Sequence, residues 1–437
     1  MRRIKNQTGT FFLFIIFILC SCTKKSSILI VHEDIKGKNK ISIKTHTNNP
    51  VSKYSNLYKD VQYIALEETN NSIIGEISKL EITNNGDYIV YDSKSGSVIR
   101  FNKNGKYICN IGNRGPGKDE YQVPDGMVYD CFNDNVIVWD NAKRSLMIYN
   151  LDGKMESSIL LPWYIGTFGI LDKERYILYM NNGENIKYND KGTNYKIIKH
   201  DGTIEKEFGE YGIDVSDFNP ACKETFHFQN GRCLCMAPFS PKIYTMRKDS
   251  CQVLATLDFQ ENSIPAEWLK GSHKKFRKKL ESYPNLSYCE SFYDTDSCYA
   301  LNIINNKTIS LCIINKQNNQ IIGIGKTLIN DIKGLVSQTK ICQAKDNKLF
   351  FEISPLQFEE KHKLIENLPE HENLTNSMIK GLDNVPDKIM KYFGHDYFST
   401  LKDTLENTII HVSQEEKTFI KKQSETSNPI IQICTLK

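Results

Sequence analysis

Four tight turns recur along this chain at a nearly constant interval, and a fixed interval commits a sequence to a repeat architecture. The turn residues Gly105, Gly153, Gly202 and Ser250 stand 48, 49 and 48 residues apart, each between two β-rich runs. Glycine supplies the positive φ that such hairpins require. Upstream of each turn lies another apolar run, at Tyr88–Asp92, Val136–Asp140, Tyr176–Met180 and Arg232–Met236.

The first unit reads as four strands near 79–83, 88–92, 97–102 and 106–112, separated by turn-forming segments such as Asn84-Asn85-Gly86-Asp87. Four short antiparallel strands in 40–50 residues are the signature of a propeller blade. Further blades follow at 126–161, 168–209, 225–259 and 287–326. A sixth offers strands at 338–345, 348–354 and 429–436 but no fourth, while Val61–Leu66 has no partner of its own. Supplying that orphan strand to the last blade closes the ring and removes the open edges that invite aggregation. The expected fold class is therefore all-β, a six-bladed β-propeller of four-stranded antiparallel blades closed by an N-terminal strand.

Other residues point the same way. Tyr63-Ile64-Ala65-Leu66-Glu67, Gly115-Pro116-Gly117 with Glu120-Tyr121, and the ending Asn428-Pro429-Ile430-Ile431-Gln432 resemble the six-bladed β-propeller lipoproteins of Bacteroides-type bacteria. The resemblance covers nearly the whole chain after the N-terminal segment. It implies the fold and an envelope location, and it carries over no catalytic residue.

The N-terminus is a separate object. Arg2, Arg3 and Lys5 precede an unbroken apolar run from Phe11 to Cys20. As a helix that run rises only about 15 Å, too little for a bilayer core of about 30 Å, so a secretory signal is expected. Its end, Leu19-Cys20-Ser21-Cys22, resembles a lipobox, in which Cys22 would carry the lipid. The expected organisation is a signal peptide at 1–21, a lipid-anchored tether at 22–50 and a propeller at 51–437. Thr23-Lys24-Lys25 follow the cysteine, where surface-displayed lipoproteins of this group resemble one another in having acidic residues. The expected location is therefore the outer membrane, facing the periplasm.

Removing Arg2, Arg3 and Lys5 from 56 basic side chains leaves 53 against 52 acidic ones, a net of +1. No global field remains to attract nucleic acid, and that partner class is set aside. Of 13 cysteines, eleven remain besides Cys20 and Cys22, without a disulfide framework in their spacing. Cys233-Leu234-Cys235 places two thiols on one strand face, but no second pair or spaced histidine supports a metal site. No metal or other cofactor is expected. Gly112-Asn113-Arg114-Gly115-Pro116-Gly117-Lys118 matches the start of a P-loop, yet Asp119 stands where Ser or Thr should hold magnesium. Nucleotide binding is set aside with it.

Propeller topology sends the loops between strands two and three, and those between blades, to one face. Both long insertions fall there, near 261–284 and 355–427. In the first, Pro265 suits a helix start, Leu269, Phe276, Leu280 and Tyr283 recur at helical spacing, and Lys274 belongs to a basic cluster. That cluster is either a patch for an anionic ligand or a solvated helix face. The second insertion carries helical patterns such as Asp387–Phe393 and Tyr397–Leu405, and serves as a cap or partner platform or as a structural embellishment. Asp92, Asp140, Arg114 and Trp163 are expected around the same opening. Paired carboxylates suit acid/base chemistry and an aromatic suits sugar stacking, although an aspartate closing a strand is more often turn chemistry. The candidate ligand-binding residues are thus Asp92, Arg114, Asp140, Trp163 and Lys274. The expected function is a binding or scaffold propeller for a protein, peptide or glycan. The alternative is a carbohydrate- or peptide-acting hydrolase or lyase at the channel mouth.

Overall fold

The fold is taken from a computed structural model. The structure describes residues 30–32, 40–43, 51–182, 192–210, 220, 225–305, 307–334, 336–366, 374–386, 390, 395–410, 412–423 and 428–437. Cys22 and the helical pattern expected at 387–393, save Met390, lie outside them.

Six four-stranded antiparallel blades form a closed ring, a β-propeller. Blade one comprises Lys79–Ile82, Tyr88–Asp92, Ser97–Phe101 and Tyr107–Asn110, within a residue or two of the expected strands. Blades two to five begin with Pro124–Asp130, Thr167–Asp172, Phe226–Gln229 and Ser287–Asp294, and blade six with Ile341–Lys345. These six first strands touch one another in sequence and then back to blade one, so they line the central channel. Closure uses Tyr58–Ala65, which pairs antiparallel with Ile430–Leu436 as the outer strand of blade six.

The glycine turns do more than reverse the chain. Gly105 has φ +80°, and a Cβ there would lie 2.1 Å from the carbonyl oxygen of Ala65. That closeness lets the Gly105 carbonyl accept the Glu67 N–H at 2.8 Å, and the Gly153 carbonyl accepts the Gly112 N–H at 3.1 Å in the same way. Each hairpin clasps the chain leaving the preceding blade, so repeat spacing becomes blade-to-blade contact.

The core lies between blades. Alternate residues of the middle strands are apolar on both faces, and Val136 to Trp139 are all fully buried. A strand covered on both faces reads as a continuous apolar run, as these do.

Within the segment expected as a tether, Ile30–His32 and Lys40–Ser42 pair parallel to Ser250–Asp258, the outer strand of blade four. Val51–Lys53 then pairs parallel to Thr327–Ile329 between blades five and six. The first insertion is not one helix: a single turn at Ala266–Leu269 precedes the helix His273–Ser282. Gly271 between them takes φ +79°, which breaks the helical run that the apolar spacing implied. The second insertion holds helices Pro355–Glu366, Leu374–Leu382, His395–Glu406 and Gln414–Gln423. Ile365, Leu374, Leu405 and Ile420 pack on Val51, Ile329, Ile353 and Ile430. The bundle therefore sits beside blade six.

Candidate functional site

On the insertion face the channel opens into a cup of about 740 Å³, lined by blades one, four, five and six. That volume suits a small ligand or the end of a chain. Among the described residues, blades two and three contribute nothing to it.

The cup has a floor. Asn302 donates its side-chain amide to Ser291 Oγ at 2.6 Å and to the Ile341 carbonyl at 2.8 Å, and Tyr293 Oη reaches the same carbonyl at 3.3 Å. Below them Gln229 of blade four donates to the Ala344 carbonyl of blade six at 3.0 Å. Gln343 in turn donates to the Leu80 carbonyl of blade one at 2.9 Å. These amides join four inner strands across the axis. A second cavity of about 270 Å³ lies beyond them on the hairpin face and shares no lining residue with the cup. The cup is blind.

Its walls differ in chemistry. Phe239 and Tyr288 stand 4.7 Å apart between ring centroids, and Phe276 of the His273–Ser282 helix packs behind Phe239 at 4.7 Å. Facing them are Glu76, Lys79, Lys340 and Glu352, with Glu290 on blade five. Lys79 approaches Glu81 at 3.6 Å and Lys340 approaches Glu290 at 3.8 Å. Hydrogen bonds from Ser93 and Ser78 hold the Glu76 carboxyl below its ordinary pKa. Burial pushes the Glu352 carboxyl up, with the Glu76 charge adding to the rise. Burial likewise raises the Tyr288 hydroxyl; Glu290 adds to this and Arg277 opposes it.

The residues expected to form the site are not brought together. Asp92 is 1% exposed and accepts from Gly75 N, Lys94 N and Ser95 Oγ at 2.8, 2.9 and 3.0 Å. Asp140 is fully buried and accepts from the backbone of Gln122 at 2.6 Å, Ala142 at 2.9 Å and Lys143 at 3.1 Å. Both bind a strand-two-to-three turn to the loop arriving from the preceding blade, so their carboxylates are occupied by backbone. Trp163 is only 8% exposed and lies 5.0 Å over the buried Lys196 ammonium, inside the core between blades two and three. Arg114 is exposed but donates to the Gln122 carbonyl at 3.1 Å, at the edge of blades one and two. Lys274 is exposed on the helix that backs Phe239 and does not itself line the cup.

The P-loop lookalike has the reverse polarity of a phosphate cradle. Lys143 Nζ donates to the Gly117 carbonyl at 2.7 Å, while the Glu120 carboxylate takes the Gly117 N–H at 2.8 Å. Cys233 and Cys235 are packed in an apolar cluster with Ile177, Ile197 and Met246, and burial drives both thiols up.

Fold and cup together define a six-bladed propeller with a blind, two-sided pocket on its insertion face. The chain belongs to the family of the domain of unknown function DUF4934, whose profile matches residues 38–385. It is similar to a solved Bacteroides fragilis protein described as exported, at 14% identity and TM-score 0.62, over 91% of this chain and 99% of that one. A DUF4221 family member from Bacteroides vulgatus shares 10% identity over 61% of this chain and 85% of that one, with TM-score 0.43. No functionally curated protein matches the chain.

Proposed function

We propose that this protein is an exported, envelope-bound binding propeller that receives a peptide or glycan ligand end-on in the blind cup. The observation that carries the reading is the cup itself. It is concave, closed below, and lined by two aromatic rings opposite charged groups. A rigid ring with variable loops is a scaffold on which binding sites commonly sit. The Bacteroides fragilis relative is described as exported, in line with the basic start, apolar run and Cys22 of this chain. Anchoring through a lipid on Cys22, at the outer membrane and facing the periplasm, completes the proposal.

Lys340 is exposed at the cup wall, so Lys340→Trp fills the opening at little cost to the fold. Screening labelled peptides and glycans against both proteins should give ligands that Lys340→Trp weakens and that Asp152→Ala, on the hairpin face, leaves alone. Ligands lost with Asp152→Ala instead would overturn the reading.

A second reading is favoured by Glu76 and Glu352, two carboxyls in one pocket with oppositely perturbed environments. Such pairs divide acid and base roles in hydrolases and lyases. Turnover of a cup ligand by the native protein, abolished by Glu352→Gln without loss of binding, would establish it.

A further inference from the structure

The cup gathers its charged groups on one side. On the wall of blades one and six, Glu352 is half-buried and, among the described residues, accepts the Ile77 N–H at 3.1 Å and no other hydrogen bond. Among the described residues no basic side chain reaches within 4 Å of its carboxylate. The two lysines whose charge acts on it pair with other carboxylates, Lys94 with Glu76 at 3.4 Å and Lys340 with Glu290 at 3.8 Å. On the opposite wall the Phe239–Tyr288 pair is apolar. Behind it the helix His273–Ser282 turns Lys274, Lys275, Arg277, Lys278 and Lys279 to solvent. Arg277 lies close enough to Tyr288 to offset part of the rise that burial imposes on its hydroxyl.

A ligand matching the cup carries a cation beside an apolar group, with an anion where it leaves the cup toward the basic helix. A sheltered carboxylate without a cation costs free energy that a ligand ammonium recovers and a neutral sugar does not. A blind floor admits a chain end but no threaded chain. We propose that the cup binds the free amino terminus of a short acidic peptide. Its ammonium meets Glu352, its apolar first side chain lies on Phe239 and Tyr288, and its carboxylate faces Arg277 and Lys274. This inference rests on the cup being the ligand site.

The test is calorimetric titration of the purified protein with Phe-Ala-Glu, Leu-Ala-Glu and Val-Ala-Glu, their N-acetyl forms, and chitotetraose as a neutral glycan. At least one free tripeptide should bind, and acetylation should weaken it tenfold or more. Glu352→Gln keeps an acceptor for the Ile77 N–H, so it should fold normally by thermal melt. It should lower affinity for the free peptide at least tenfold and leave the acetylated form unchanged. The double change Arg277→Ala, Lys274→Ala should weaken the free peptide several-fold. Equal affinity for free and acetylated peptides, indifference to Glu352→Gln, or no binding of any free tripeptide would each overturn the proposal. Binding of chitotetraose alone, blocked by Lys340→Trp, would overturn the peptide assignment while leaving the cup as the site.

Discussion

The Asn428 side chain accepts the backbone N–H of Ile74 at 2.8 Å across 354 residues of sequence. Its amide donates to the carbonyls of Ser72 at 2.7 Å and Glu67 at 3.0 Å. One residue, 1% exposed, thus ties the returning C-terminal strand to the segment linking the closing strand to blade one. Asn428→Ala leaves the buried Ile74 N–H and Ser72 carbonyl without this partner, while Ser72 Oγ still donates to the Glu67 carbonyl at 2.7 Å, at a cost of about 3 kcal/mol. The urea midpoint should fall accordingly, and an unchanged midpoint would contradict the latch.

Closure itself can be tested by removing the strand. Deleting residues 57–68 takes away Tyr58 and Val61, both fully buried, and exposes the edge of Ile430–Leu436. The ring should lose its single cooperative melt. A truncated protein melting like the intact one would rule out this closure.

Asp140 and Trp163 should behave as structural residues. Asp140→Ala removes the acceptor that several part-buried backbone N–H groups share, costing about 2–3 kcal/mol. Trp163→Ala opens a cavity above Lys196, whose ammonium sits 2.6 Å from Glu207, at about 3–4 kcal/mol. Ligand affinity at the cup, measured well below the melting temperature, should not change in either variant.

Cysteine reactivity gives an independent check on burial. Burial, with help from Asp130, pushes the Cys131 thiol up to about 11. A raised pKa means less thiolate, so at pH 8 iodoacetamide should label Cys131 about 100-fold more slowly than a free thiol. Cys233 and Cys235 should stay unlabelled until the protein is unfolded in urea. Rapid labelling of the native protein at these two positions would show that the core between blades three and four opens readily.

The lipid proposed on Cys22 has a direct readout. Mass spectrometry of the mature N-terminus should find an acylated Cys22, and Cys22→Ala should release soluble protein from envelopes.

The blades were legible because their signals are local. Gly105, Gly153 and Gly202 each sit in a hairpin whose φ demands glycine, and the 48-residue spacing survives unequal loops. The closing strand was legible by elimination, as the one apolar run near the start without a partner. The cup was not, since its walls come from Glu76, Phe239, Tyr288 and Glu352, which share no motif or spacing. Asp92 and Asp140 drew attention as carboxylates at the right strand ends, on the correct face. Their sequences do not reveal that the next turn and the arriving loop both donate to them. The three-residue strands at Ile30–His32 and Lys40–Ser42 are too short to show any alternation, so they read as tether.

Those two strands would also set the direction from which a lipid on Cys22 held the molecule. Ile30 lies beside Ser250, at the hairpin-face end of the outer strand of blade four, and Ser42 meets Asp258 at its other end. Cys22 precedes Ile30 by eight residues, a reach of roughly 28 Å at most. A leash that short, leaving from the rim beside the hairpin turns, would work like a stem under a flower. With Cys22 lipidated, the Lys248-Asp249 hairpin of blade four would rest near the bilayer and the cup would open away from it, toward whatever diffuses past.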